Sequence, residues 1–159
     1  MEDYIKNKDK IKEAIKRIVS YMNIECQVEI DKEVGGNSKT VLVSIYTPDN
    51  AKFLIGRDGQ NLKALEYVVR NMFAKDVGSD VSLAVDVNDY KKSKANYVID
   101  LARQAVMRVR NIQKAEALQP MSSYERRLVH MELASYPDIA TESIGEEPQR
   151  RIVIKPYSI

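Results

Sequence analysis

The sequence predicts an α+β protein of two small domains, residues 1–88 and 89–159. Three observations lead there. Over the first half, apolar spacing changes between helical and alternating in the order helix, strand, strand, helix, helix, strand. The second half opens on one long helical pattern and closes on a capped helix followed by two short alternating segments. Within the first half, between its two successive helices, Gly56 and Gly59 stand three positions apart at the head of the second.

Composition narrows the classes. With 159 residues, 44% of them apolar and 30% charged, the chain can bury one fair-sized core or two small ones, and disordered and collagen-like classes are excluded. A formal charge of only +2 means that an anionic partner must be met by local patches. Cys26 has no second cysteine to pair with, and His130 is the only histidine, so neither a disulfide framework nor a zinc-type ligand set is expected. No cofactor is expected. The lone thiol suits a reducing cytoplasm, and no apolar run approaches signal-peptide or membrane-span character, so direct membrane insertion is not expected.

The elements follow in order. Ile11, Ala14, Ile15, Ile18, Val19 and Met22 mark one face of a first helix. Cys26, Val28 and Ile30, then Val41, Val43 and Ile45, alternate with polar residues on either side of a Gly35-Gly36-Asn37 turn, as in a half-buried hairpin. A short helical turn fits Ala51 to Leu54. A longer helix from about Gln60 to Phe73 places Leu62, Leu65, Val69 and Met72 on a core face, and Val81, Leu83, Val85 and Val87 alternate as a third strand.

The stretch Phe53-Leu54-Ile55-Gly56-Arg57-Asp58-Gly59-Gln60-Asn61-Leu62-Lys63 carries the first chemistry. Glycines let a strand of nucleic acid approach the main chain, the next helix offers its free N–H groups to an anion, and Arg57 adds positive charge. By itself the spacing is weak, because a tight structural turn has the same signature. With its flanks from about Ile11 to Val87, the stretch resembles the type II KH domain of bacterial RNA-binding proteins. That resemblance implies a groove for about four nucleotides, with Gly56, Arg57, Asp58 and Gly59 as the clamp and Ile55, Leu62 and Lys63 flanking it. Asp58 departs from more basic loops, and its charge opposes phosphate contact.

The second half begins near Tyr90 with a long helix whose stripe is Ala95, Val98, Ala102, Ala105, Val109 and Ile112. Between Lys91 and Lys114 there are seven basic residues and one acid, Asp100. Lys92, Arg103, Arg110 and Lys114 fall in one arc of that helix. A solvated face is the plainer account of it, and a strip that tracks a phosphate backbone is the alternative. Ser122 and Glu125 have the spacing of a capping box, and Arg126 and His130 lie one helical turn apart with Arg127 a quarter-turn away. Residues 139–144 and 150–154 read as two strands around Gly145-Glu146-Glu147-Pro148.

Tyr124-Glu125-Arg126-Arg127-Leu128-Val129-His130, then Thr141 to Pro148, then Arg150 to Ile154, resemble the Arg-x-x-x-His, or R-three-H, domain, a single-stranded nucleic-acid-binding module of helices on a small, mainly antiparallel sheet. The likeness runs from about Tyr90 to Pro156. KH followed directly by R-three-H resembles the Jag family of bacterial SpoIIIJ-associated RNA-binding proteins. It implies Arg126 and His130 as the characteristic pair, with Arg127, Arg150 and Arg151 as phosphate contacts. Members of that family commonly carry a further small N-terminal domain and a linker. Implied partners are single-stranded RNA, or single-stranded DNA, a second small KH protein, a second copy of the chain, and the membrane-insertion or cell-elongation machinery.

Two function classes compete. Regulatory binding of single-stranded nucleic acid, with little aromatic stacking and modest sequence preference, is the first. A protein-interaction adaptor with a vestigial KH loop is the second, favoured by Asp58 and the low net charge. Catalysis is not expected: the glycine spacing is not that of a P-loop, and His130 has no second histidine or local Ser or Cys signature to work with.

Overall fold

Ile11, Ile15 and Val19 recur every four residues and are fully buried. That stripe seats helix α1 (Glu2–Ser20) on the first sheet. The computed structural model describes residues 2–35, 38–77 and 81–157. The chain divides into two units, Met1–Lys91 and Lys92–Ile159.

In the first unit, strands β1 (Gln27–Gly35) and β2 (Ser38–Tyr46) pair antiparallel, with Val28 opposite Ile45 and Ile30 opposite Val43. Gly36 and Asn37 of the expected turn lie outside the described residues. β2 then pairs in parallel with β3 (Val81–Val87), Val41 beside Leu83 and Val43 beside Val85. A parallel pair needs a crossover. Helices α2 (Ala51–Ile55) and α3 (Gln60–Val77) supply it, separated by a 3-10 turn at Arg57–Gly59. The core gathers Val28, Ile30, Val41, Val43, Ile45, Leu83, Val85 and Val87 from the sheet, with Leu54, Leu62, Val69 and Phe73 from the crossover.

β3 is an edge strand, in the order β1-β2-β3, and α3 closes that edge with side chains. Arg70 Nε donates to the Leu83 carbonyl at 2.6 Å, and Val85 N–H donates to Glu66 Oε2 at 3.0 Å. Two expected core positions are corrected. Met72 is 49% exposed and Phe73 takes the buried place, four residues after Val69. Met22 is half exposed because α1 ends at Ser20 and the chain turns there.

The second unit contains helix α4 (Tyr90–Ile112) from Lys92 onward, strand β4 (Glu116–Ala117), helix α5 (Ser123–Leu133), and strands β5 (Ile139–Ile144) and β6 (Arg151–Pro156). Its sheet runs β4-β6-β5, antiparallel throughout. Val98, Ala102, Ala105, Val106 and Val109 of α4 pack with Val129 and Leu133 of α5 over Ile139, Ile152 and Ile154. Ile112, expected in that stripe, is 62% exposed at the end of α4. The fold class is therefore α+β, helix-strand-strand-helix-helix-strand followed by helices on a small antiparallel sheet.

Candidate nucleic-acid interface

The loop between α2 and α3 is built on backbone geometry that only certain residues accept. Gly56 adopts φ 70°, ψ −177°, a region essentially reserved for glycine. Gly59 has φ 79° and Asp58 φ 51°, ψ 28°. Asp58 therefore sits in the left-handed helical region, where Asp and Asn are tolerated best among non-glycine residues. The acid that weakens phosphate attraction is suited to the turn's shape.

Both glycines are needed on the protein's own side. A Cβ at Gly56 would lie 2.5 Å from Asn61 Cγ, and one at Gly59 would lie 3.1 Å from Tyr90 Cε1. Asn61 is fixed there, because its Nδ2 donates to the Phe53 carbonyl at 2.8 Å. Neither neighbour is visible in local spacing. What the loop presents outward is Arg57, whose side chain is 91% exposed, with Asp58 Oδ2 4.0 Å from its Nε. Lys63 is exposed one turn into α3 and Ile55 is half-buried. Leu62, expected beside a groove, is 2% exposed and belongs to the core, since it starts the buried stripe of α3.

In the second unit the expected cations fall into two groups. Arg103 Nε lies 2.8 Å from Glu132 Oε1, and Arg110 makes a two-pronged pair with Asp138 at 2.7 and 2.8 Å while its guanidinium covers the Tyr136 ring. Hydrogen bonding to Glu132 and Asp138 raises the two arginine pKa values further, and the Arg110 bond lowers that of Asp138. Acids from α5 and the segment after it thus answer the strip on α4. Lys92 and Lys114 are exposed and have no ion-pair partner among the described residues.

Helix α5 starts on a capping box: Glu125 N–H donates to Ser122 Oγ and Ser122 N–H donates to Glu125 Oε2 at 2.7 Å. One turn on, Arg126 and His130 differ sharply. Arg126 is 9% exposed, its Nη1 donates to the Met121 carbonyl at 2.7 Å, and its Nη2 is 2.8 Å from Glu147 Oε1. Of the characteristic pair, Arg126 faces the protein, because Val129 and Leu133 draw that side of α5 onto the sheet. His130 is exposed, with Nδ1 2.7 Å from Thr141 Oγ1. Arg127 is exposed three residues before it. Arg150 Nε donates to Ser143 Oγ at 3.0 Å, and Arg151 Nε donates to the Gln149 carbonyl at 3.1 Å. Thr141 and Ser143 lie in the stretch that carries the R-three-H resemblance but draw no role from the sequence, because a hydroxyl in a strand carries no local signature.

No helix among the described residues is long and apolar enough to cross a membrane.

Comparison with known proteins matches residues 8–87 to the KhpA/KhpB KH domain, about half of the chain, and residues 96–156 to the R-three-H domain. The chain is 30% identical over 146 residues to the RNA-binding protein KhpB of Clostridium symbiosum, covering 92% of this chain and 64% of that protein. It is 33% identical over 126 residues to the KhpB of Bacillus subtilis, covering 78% and 60%. Against the KhpB of Lactiplantibacillus plantarum it is 34% identical over 130 residues, covering 82% and 40%. The chain thus spans between 40% and 64% of the length of these relatives. With a KhpA/KhpB-type KH domain followed in one chain by an R-three-H domain, it belongs to the KhpB, or Jag, family.

Proposed function

We propose that this chain binds single-stranded nucleic acid, RNA in preference to DNA, in the cytoplasm, as a regulatory and non-catalytic protein. The observation that carries the reading is the Gly56–Gly59 loop. Its two positive-φ glycines hold a tight turn at the head of an 18-residue helix, and Arg57 is its outermost cation. Exposed Lys63 extends that basic surface. Arg127, His130, Arg150 and Arg151 form the second surface, in the R-three-H unit. The relatives' name, RNA-binding protein KhpB, supports RNA as the ligand. Joining two weak binding units in one chain raises the effective concentration of the second once the first is engaged.

A second reading, protein-interaction adaptor, has its own observation. Tyr67, Val68 and Met72 are 70%, 44% and 49% exposed on α3, an apolar patch suited to a second small KH protein or a second copy of the chain.

Fluorescence anisotropy of a labelled unstructured RNA and its DNA equivalent, across a salt series, tests the first reading. The native chain should bind with an affinity that falls as salt rises, and Arg57→Asp and Arg127→Glu should each flatten that dependence. No binding at low salt overturns the nucleic-acid reading and leaves the adaptor, which sedimentation of Met72→Glu against the native chain would then address.

A further inference from the structure

Strand β5 turns one face toward the helices. Ile139, Thr141 and Ser143 share it, since alternate residues of a strand project to one side. Across the ladder they face Pro156, Ile154 and Ile152. Ile139, Ile152 and Ile154 are core residues, so two hydroxyls occupy a face that is otherwise apolar. Each hydroxyl is engaged by a nitrogen from a different element. Thr141 Oγ1 meets His130 Nδ1 of α5, and Ser143 Oγ accepts from Arg150 Nε, which precedes β6. β5 is also the edge of its sheet, so nothing from the sheet covers its outer side.

We propose that Thr141 and Ser143 are positioning residues that set His130 and Arg150 in a row as successive phosphate contacts for an extended single strand, and that Arg126 is a strut and not a contact. The proposal rests on the RNA-binding reading of the same unit. Two residues of strand set the two hydroxyls about 6.8 Å apart along β5.

The hydroxyl also matters for the imidazole's proton. To donate to phosphate, Nε2 must carry hydrogen, either in the neutral ring with Nδ1 accepting or in the imidazolium with Nδ1 donating. A threonine hydroxyl can donate to Nδ1 in the first state and accept from it in the second. A backbone carbonyl could serve only the second. Arg126 sets the other end of the row. It binds the Met121 carbonyl and Glu147, while Met121 N–H donates to the Arg150 carbonyl at 3.1 Å, so the lead into α5 and the segment carrying Arg150 are tied together.

The test uses the full chain and a fluorescein-labelled unstructured RNA, comparing native protein with Thr141→Val, Thr141→Ser and Ser143→Ala, each checked by circular dichroism. Thr141→Val should weaken binding about 2- to 10-fold, the worth of one lost hydrogen bond, and Thr141→Ser should restore it. Ser143→Ala should lower the slope of log affinity against log salt by about 0.7, one phosphate contact on a single strand. Nitrogen NMR of the native chain, which needs no variant to fold, should find the neutral His130 ring protonated on Nε2. Native binding with unchanged affinity and slope in Thr141→Val and Ser143→Ala, or a ring protonated on Nδ1, overturns the positioning roles while RNA binding stands. Absence of native binding at low salt overturns both.

Discussion

Asn61 fills the space into which a side chain at Gly56 would grow, with its Cγ 2.5 Å from the position a Cβ would take. The Phe53 carbonyl holds Asn61 in place, so the clash has no cheap relief, and the backbone at φ 70°, ψ −177° is itself closed to alanine. Gly56→Ala should cost about 1–3 kcal/mol in urea denaturation. Adding Asn61→Ala removes the steric part and leaves the backbone part. Equal stability of Gly56→Ala and native protein would show that the loop relaxes.

Two carboxyls on the first unit should give opposite pH responses. Burial raises the Glu66 pKa most, yet the Lys91 and Val85 hydrogen bonds and the charges of Lys91 and Arg70 together outweigh it, and the group ends below its ordinary value. Its stabilisation is complete above the usual glutamate pKa of about 4.3 and is lost as pH falls through the lower folded value. Asp86 is pushed up, chiefly by burial, despite N–H donation from Lys91 and Val87 and the charge of Lys91. Its ionised form therefore costs stability at neutral pH, and the cost vanishes as pH falls through the raised folded value. Glu66→Gln should lose about 1 kcal/mol at pH 7 and less in acid. For Asp86→Asn, the stability difference from native should shift in the variant's favour between acid and neutral pH. Melting curves of both from pH 3 to pH 7 decide it, and parallel trends would refute the assignment.

Arg126 and Glu147 join the start of α5 to the segment between β5 and β6. Arg126→Ala leaves the Met121 carbonyl without this donor and should cost about 2–3 kcal/mol. Glu147→Ala should cost ~1 kcal/mol or less, because its carboxylate is 60% exposed and screened by water. A double-mutant cycle should return a coupling below ~1 kcal/mol. A near-zero cost for Arg126→Ala would mean that the guanidinium is not a strut.

What could be foreseen depended on how far apart the cooperating residues lie. The hairpin, the long helices and the Ser122–Glu125 box were legible because their signals lie within a few residues. β4 is two residues long and carries no periodicity. Arg126 could not be recognised as buried, since Glu147 and the sheet that covers it come later in the chain. Likewise, helical spacing alone gives Met72 and Phe73 similar claims to the core, and only the seating of α3 on β3 decides between them. The glycines of the Gly56–Gly59 loop were legible, but their internal neighbours Asn61 and Tyr90 were not.

The same distance effect governs the basic strip on α4. Arg103, Arg108 and Arg110 stand among few acids in their own helix, yet Glu132, Glu116 and Asp138 neutralise them from elsewhere in the unit. Arginines already paired have less to give a phosphate, since binding would first break an existing charge-assisted hydrogen bond. Arg103→Gln and Arg110→Gln should therefore leave the salt slope of RNA binding nearly unchanged. Glu132→Gln and Asp138→Asn, which release the arginines, should steepen it by up to about 0.7 each if a phosphate then docks there. Anisotropy titrations at four salt concentrations measure all four variants. A drop of about 0.7 for either arginine variant would mean that these ion pairs open on binding and that the strip serves the nucleic acid directly.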